Sequence, residues 1–301
     1  AYFAAKIGAN LLHKHTGLTV ESFRGSEFPA KFVCGENTLT IGISQSGETK
    51  DTLDALHTAK LFGGHISSFC NVIGSTMARL TSNGAYLYAG PEYAVASTKA
   101  FSNMIAALVL FSLTLSETDV KEKQRIVQNL RELPSKVSNQ LKEDDGSIDK
   151  AVEILENAPY SLFDGRGVSS ALVQEGALKM MELAYMPCIS LPGGELKHGT
   201  IALIEDGIPV IAVAPSDDTL NLMESTIREC KTRGAKIILV TDTEEPITRL
   251  ADVVIQTQQS VHETSTIINV IPLQILAYRL AEKKGFNIDR PRNLAKSVTV
   301  T

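Results

Sequence analysis

The sequence predicts an α/β protein made of two copies of one unit, each a parallel sheet flanked by helices. Short, buried-type strands rich in β-branched residues alternate with amphipathic helices, which is the pattern of βαβ units. The same order of strand, turn and helix occurs in both halves of the 301-residue chain. A final stretch with two prolines and no helical period predicts an irregular C-terminal tail.

The first half opens on a helical pattern at residues 1–10, without the order of a signal peptide, so we expect the chain to begin inside a larger protein. A β-branched run then predicts a strand, and an amphipathic stretch predicts a helix that Gly63-Gly64 ends. The predicted strands are 38–44, 65–72 and 86–89, and the predicted helices after the first are 49–62 and 97–115.

The second half repeats this order, with Gly234 ending one of its helices. Its predicted strands are 161–163, 209–214, 236–240 and 253–255, and its predicted helices are 169–185, 219–233 and 268–284. Between the halves, residues 117–143 are rich in charged residues and predict an exposed connecting helix interrupted at Pro134. The predicted division is a first domain at 1–130, a linker at 131–147, a second domain at 148–285 and a tail at 286–301.

Composition excludes several classes of protein. A net charge of −5 with scattered Lys and Arg gives no footprint for nucleic acid. Four cysteines without a C-x-x-C pair argue against a zinc site or a disulfide framework and suit a reducing compartment. The longest apolar stretch, 104–115, is shorter than the roughly 20 residues that span a bilayer. We expect a cytoplasmic protein with no metal, cofactor, nucleic acid or membrane partner.

A polar turn, SQSGET at 44–49, joins a predicted buried strand to a helix start. A helix N-terminus offers unpaired N–H groups and a partial positive charge, and Gly47 would let the backbone approach a ligand. The neutral side-chain donors are Ser44, Gln45, Ser46 and Thr49. This set suits a phosphate monoester. It also fits a helix-capping box, and the pattern leaves both interpretations open.

Two other turns occupy comparable positions. Ser97 precedes a predicted helix and is either a ligand-facing donor or a plain N-cap. The turn of the second half that is equivalent to SQSGET carries Asp217 and Asp218 and no glycine. Because two carboxylates repel a phosphate, only the first half is expected to bind one.

Glu175, Lys179 and Glu182 fall at i, i+4 and i+7 of a predicted helix and therefore share one face. Such a run is commonly a solvated surface, but the neighbouring residues are mostly apolar. Burial raises the pKa of a carboxyl, which suits a general base. His198 lies in a glycine-flanked loop, and histidine is the side-chain type best suited to moving a proton near neutral pH. It is equally explained as an exposed loop residue.

Five motifs together resemble the isomerase half of the glucosamine-6-phosphate synthases, also called glutamine–fructose-6-phosphate aminotransferases. They are SQSGET at 44–49, VASTKAF at 95–101, EGALK at 175–179, GELKHG at 194–199 and PRNLAKSVTV at 291–300. The resemblance covers essentially the whole chain. It implies two SIS (sugar isomerase) domains, each a flavodoxin-like three-layer sandwich.

The resemblance also implies roles. Glu182 would move a proton between C1 and C2 of fructose 6-phosphate with Lys179 beside it, and His198 would open the sugar ring at the active site of the neighbouring subunit in a homodimer. Lys296 would approach the keto carbon. Residues implied to hold the phosphate and sugar are Ser44, Gln45, Ser46, Thr49, Val95, Ser97 and Ala295.

Under this resemblance the product is glucosamine 6-phosphate when ammonia is supplied, or glucose 6-phosphate without it. The ammonia would come from a glutaminase domain of the full-length protein, which this chain lacks. Two alternatives remain. One is a stand-alone SIS deaminase or aldose–ketose isomerase, which the tail containing Lys296 disfavours. The other is a non-catalytic module that binds a sugar phosphate, which has no need of Glu182, His198 and Lys296 together.

Overall fold

A computed structural model describes residues 1–28, 34–143 and 145–296, in which two compact units alternate parallel strands with helices. The first unit comprises Ala1–Thr118 and the C-terminal segment from Arg292, and the second comprises Asp119–Pro291. The α/β class and the parallel sheets are those that the sequence predicts. Among the described residues, no helix combines the length and apolarity needed to cross a membrane.

The first unit has a three-stranded parallel sheet in the order β1-β2-β3. Its elements are α1 (Tyr2–Thr16), a 3₁₀ turn (Gly25–Glu27), β1 (Leu39–Ser44), α2 (Lys50–Leu61), β2 (His65–Cys70), α3 (Thr76–Thr81), β3 (Gly84–Tyr86) and α4 (Lys99–Leu115). Gly8 lets α1 approach α4 closely, because a Cβ there would lie 2.6 Å from Leu108 Cδ1. The strand predicted at 86–89 ends at Tyr86, and Tyr88 has a left-handed backbone with φ 51°.

The second unit has a five-stranded parallel sheet in the order β5-β4-β6-β7-β8. Its strands are β4 (Ser161–Gly165), β5 (Cys188–Pro192), β6 (Pro209–Val213), β7 (Lys236–Thr241) and β8 (Val253–Gln256). Its helices are α5 (Val120–Lys142), α6 (Ser147–Glu156), α7 (Val168–Ala184), α8 (Leu220–Lys231) and α9 (His262–Lys283), and its 3₁₀ turns are Leu196–His198, Thr200–Leu203 and Pro246–Leu250.

Both faces of this sheet are covered by helices. Successive strand residues point to opposite sides, so each strand contributes side chains to both helix layers. On one face, Val210 and Ile237 belong to a buried cluster with Met223 of α8. On the other, Phe163 lies against α7 at Gly176, where a Cβ would meet Leu273 of α9 at 2.7 Å. The sheet therefore forms the middle of three layers.

Helix α5 departs from its prediction. It runs without a break through Pro134, so the predicted interruption there is wrong. The loss of one N–H at proline is offset by anchoring of the buried face: Asn129 accepts a hydrogen bond from Thr264, and Gln140 donates to the Gln256 carbonyl. The predicted linker, 131–147, thus overlaps a helix of the second unit.

Strand β5 is absent from the prediction because Pro187 precedes it and Pro192 is its last residue. It pairs with β4 at the edge of the sheet, where Pro192 is tolerated since its missing N–H leaves no inner ladder bond unmade. The last helix also begins six residues earlier than predicted, at His262. Of the predicted tail, residues 297–301 lie outside the described residues, as does Asp144 of the predicted linker.

Candidate active site

The SQSGET turn is shaped by its own side chains. Ser44, buried at the end of β1, accepts a hydrogen bond from the Gly47 N–H at 3.0 Å, and Ser46 accepts one from the Glu48 N–H at 3.2 Å. Thr49 is the N-cap residue of α2, but its side chain makes no capping bond. The capping-box interpretation therefore does not hold at this helix, and the Thr49 hydroxyl is free of that task.

Glu48 is the acidic residue of this turn, and its carboxylate is engaged elsewhere. Its Oε1 accepts the backbone N–H of Thr76, the first residue of α3, at 2.9 Å. That bond lowers the pKa of Glu48, so the carboxylate stays ionised at neutral pH. The hydrogen-bond donors of the turn are neutral hydroxyls and amides, and Gln45, Ser46 and Thr49 are partly exposed.

The Ser97 turn is organised by a residue that sequence reasoning missed. Glu92 accepts the backbone N–H groups of Thr98 at 2.9 Å and Ala100 at 3.1 Å, and so caps the N-terminus of α4. Its other oxygen lies 3.2 Å from Nζ of Lys296, which also donates to Ser97 Oγ at 3.4 Å. The first unit therefore brings two predicted site residues, Ser97 and Lys296, into contact.

Asn71 ties this region to the SQSGET turn. Its backbone N–H donates to the Gln45 carbonyl at 3.2 Å. Its side-chain amide accepts the Ala89 N–H and donates to the Gly90 carbonyl, both at 2.8 Å. Asparagine after a strand is a weak sequence signal. The role of Asn71 follows from its hydrogen bonds to Ala89 and Gly90, which lie 18 and 19 residues further along the chain.

Helix α7 brings Glu175, Lys179 and Glu182 together in the second unit. Lys179 is buried and lies 3.4 Å from Glu175 Oε1, and it also pairs with Glu182 Oε2. Burial alone favours the neutral amine, but the two carboxylates outweigh it and raise the pKa of Lys179. Lys179 is thus a fixed cation that holds Glu182, whose side chain keeps 22% of its surface exposed.

The remaining predicted site residues are more exposed. His198 ends the 3₁₀ turn Leu196–His198 and is exposed, with its backbone N–H bonded to the Glu195 carbonyl at 3.0 Å. Val95 is partly exposed and Ala295 is exposed. Among the described residues, no group of three or more His, Cys, Asp and Glu side chains is arranged to hold a metal ion.

Asp164 is a second residue that sequence reasoning missed. It lies near the end of β4, only 1% exposed, and neither of its carboxylate oxygens has a hydrogen-bond partner within the described ranges. Burial raises its pKa to about 6, and the nearby Arg166 charge opposes this effect only in part. The predicted strand ended at residue 163, so the sequence placed Asp164 at the start of a turn and gave no signal that the residue is buried.

The chain belongs to the SIS domain family, whose profile matches residues 1–113 and 154–282. More particularly, it is 40% identical over 305 residues to the glutamine–fructose-6-phosphate aminotransferase (isomerizing) of Chlorobaculum tepidum, covering 100% of this chain and 50% of that protein. The chain thus spans about half the length of the curated relatives it matches. These matches confirm the resemblance drawn from the motifs.

Solved structures agree. The C-terminal domain of glucosamine-fructose-6-phosphate aminotransferase from Francisella tularensis matches with a TM-score of 0.90 at 31% identity, over 96% of this chain and 84% of that one. A glucosamine-6-phosphate deaminase from Thermotoga maritima matches with a TM-score of 0.77 at 18% identity, over 99% of this chain and 87% of that one. At that identity the second likeness is one of fold alone.

Proposed function

We propose that this chain is the sugar-phosphate isomerase domain of a glutamine–fructose-6-phosphate aminotransferase. It would convert fructose 6-phosphate into glucosamine 6-phosphate when ammonia is supplied, and into glucose 6-phosphate without it. The observation that carries the proposal is the extent of the similarity, since the whole chain aligns with half of a protein of that name at 40% identity. The Francisella tularensis domain supports the same assignment.

The SQSGET turn would hold the phosphate. Its supporting feature is the neutral set of donors left after Glu48 is turned toward α3. A phosphate meets hydroxyls, amides and the positive end of α2 there, without a carboxylate competing for the same donors. The residues in this role are Ser44, Gln45, Ser46 and Thr49, and Val95, Ser97 and Ala295 would contact the sugar.

The proton transfer is assigned to Glu182. Its carboxylate would take a proton from C1 of the open-chain ketose, leaving an enediol, and return the proton to C2 to give the aldose. Lys179, held between two carboxylates, would keep Glu182 in place. With ammonia, the keto oxygen leaves as water and the nitrogen remains on C2 of the product.

Lys296 and His198 complete the proposed set. The neutral amine of Lys296 would add to the keto carbon, forming a C=N bond as the oxygen leaves as water. Its contact with Ser97 supports a place beside the sugar. His198 would open the ring across the subunit boundary of a homodimer. A glutaminase domain in the full-length protein would supply the ammonia, and we place the activity in the cytoplasm.

An assay of the purified chain with fructose 6-phosphate tests this proposal. We expect glucose 6-phosphate without ammonium and glucosamine 6-phosphate with it. Glucose 6-phosphate in both conditions would instead favour a stand-alone isomerase. Ammonium release from glucosamine 6-phosphate as the main reaction would favour a deaminase, and binding without turnover would favour the non-catalytic module.

Two variants sharpen the assay. Glu182→Gln should lower kcat by about 10²–10⁴-fold while sugar-phosphate binding is retained, because only the proton carrier is removed. Glu205→Gln, which changes an exposed glutamate of the same unit, serves as the matched control and should keep the unmodified rate. Equal turnover in the two variants would remove Glu182 from the mechanism.

A further inference from the structure

The amine of Lys296 is held by three acceptors in the first unit. It lies 2.8 Å from the Ala94 carbonyl, 3.2 Å from Glu92 Oε2 and 3.4 Å from Ser97 Oγ. Of these three, Glu92 alone carries a charge. The Ala94 carbonyl is nearer, but a hydrogen bond between two charged groups is roughly twice as strong as one to a neutral acceptor, so Glu92 is expected to contribute most to fixing the amine.

The two oxygens of Glu92 have separate partners. Oε1 accepts the N–H groups of Thr98 and Ala100 at the start of α4, and Oε2 faces Lys296. The side chain is 5% exposed. Because α4 is a 17-residue helix with a buried face, a carboxylate bonded to its N-terminus has little freedom to move. Lys296 is therefore attached to a rigid element.

The charge on Glu92 defines what it can do. Burial opposes its ionisation, but the Ala100 N–H, the Ser97 hydroxyl, the Thr98 N–H and the Lys296 charge together outweigh burial and lower the pKa of Glu92. A carboxylate whose pKa is lowered is a weak base, and therefore a poor acceptor for the proton that a reacting lysine must lose. It suits holding the amine in place.

We propose that Glu92 is a positioning residue that anchors the Lys296 amine beside Ser97, so that the C-terminal segment presents a nucleophile to the sugar at a fixed place. The catalytic consequence rests on the proposed function; the anchoring itself does not. Holding a reacting group in the right geometry accounts for a large part of many rate enhancements. Loss of Glu92 should therefore reduce turnover through Lys296 more than it reduces substrate binding.

The first test needs no substrate. The purified chain is exposed briefly to acetic anhydride, and acetylation of Lys296 is followed by peptide mass spectrometry. Glu92→Gln keeps an oxygen for Thr98 and Ala100 but removes the charge facing the amine, so Lys296 should react about tenfold faster. Glu117→Gln, at an exposed position of the same unit, should leave the rate unchanged. An unchanged rate in Glu92→Gln would overturn the proposal.

The second test is kinetic. Glu92→Gln should lower kcat about tenfold with KM within about twofold, and Glu92→Asp, which keeps the charge, should recover part of that loss. Adding Glu92→Gln to Lys296→Ala should cause no further loss, since the residue that Glu92 positions is already gone. A change confined to KM, or a further loss in the double variant, would contradict the positioning role.

The two tests separate this proposal from the proposed function. If the unmodified chain has no isomerase turnover but Lys296 becomes more reactive in Glu92→Gln, the anchoring stands and the catalytic assignment fails. Melting temperatures of the variants guard against unfolding, and a retained melting temperature with unchanged Lys296 reactivity counts against the anchor.

Discussion

Gly47 and Ser75 lie so close that a Cβ on the glycine would fall 2.2 Å from the serine Oγ. Gly47 also has φ +68°, a backbone conformation that residues other than glycine rarely adopt. The SQSGET turn thus presses against the start of α3, where Ser75 is the N-cap residue and accepts the Ala78 N–H. The glycine is required both by backbone conformation and by space.

We predict that Gly47→Ala lowers the free energy of unfolding by more than a Gly→Ala substitution at a position that has a positive φ but no close neighbour. Gly63→Ala is the matched control, because Gly63 has φ +82° and a Cβ there would come no nearer than 3.9 Å to any described neighbour. The control should lose about 1 kcal/mol in urea unfolding and Gly47→Ala a further 1–3 kcal/mol or so. Adding Ser75→Gly should restore part of the difference; equal losses would show that contact with Ser75 does not matter.

Replacing the buried cation of α7 should be costly. Lys179→Met leaves Glu175 and Glu182 without their shared ammonium, and we expect a loss of about 3–5 kcal/mol in the free energy of unfolding. Adding Glu175→Gln should recover part of it by removing one buried charge. Lys50→Met breaks the exposed pair with Asp54 and should cost less than about 1 kcal/mol. Similar losses in both lysine variants would contradict this account.

Asp164 should make stability fall as pH rises. Its pKa is raised from 3.8 to about 6 in the folded chain, so between these values the folded state binds more protons than the unfolded state. Stability therefore decreases with rising pH through this window, and the ionised form costs up to about 3 kcal/mol above it. Asp164→Asn should stabilise the chain above about pH 6 and have little effect below about pH 4.

Asp252→Asn is a control of opposite sign. Burial opposes ionisation of Asp252, but hydrogen bonds from Lys231 and Ile237 and the charges of Lys231 and Lys236 lower its pKa. The ionised carboxylate of Asp252 stabilises the folded chain at neutral pH, and this stabilisation is lost as pH falls through the lowered pKa. Asp252→Asn should therefore be destabilising only where the native carboxyl is ionised. Urea unfolding from about pH 3 to 8 compares the two, because the pKa of Asp252 lies below its ordinary value of 3.8. A pH-independent effect of Asp164→Asn would rule out its titration as the cause.

Asn71 should matter for substrate affinity as well as stability. Asn71→Ala leaves the Ala89 N–H and Gly90 carbonyl without their side-chain partners, at a cost of about 1–3 kcal/mol. Because the residue ties the Ser97 region to the SQSGET turn, KM for fructose 6-phosphate should rise by about tenfold. Asn83→Ala, at an exposed position, should change neither quantity. A stability loss without a change in KM would limit Asn71 to a structural role.

The sequence alone determined the features that depend on neighbours in the chain. Strand and helix periods predicted the two α/β units, and the helical repeat placed Glu175, Lys179 and Glu182 on one face, where the structure joins them. Motif order identified the family. The strand and helix periods and the shared helix face follow from spacings of fewer than ten residues, over which backbone geometry fixes where side chains point.

Only the tertiary structure decided the features that depend on distant partners and on burial. Glu92 meets Lys296 across 204 positions, and Asn71 joins two turns. Helix α5 continues through Pro134 because residues more than a hundred positions away anchor it, and Asp164 is buried because the folded unit encloses the end of β4. No local pattern encodes these contacts, since their energies arise only when packing removes water and brings separate segments together.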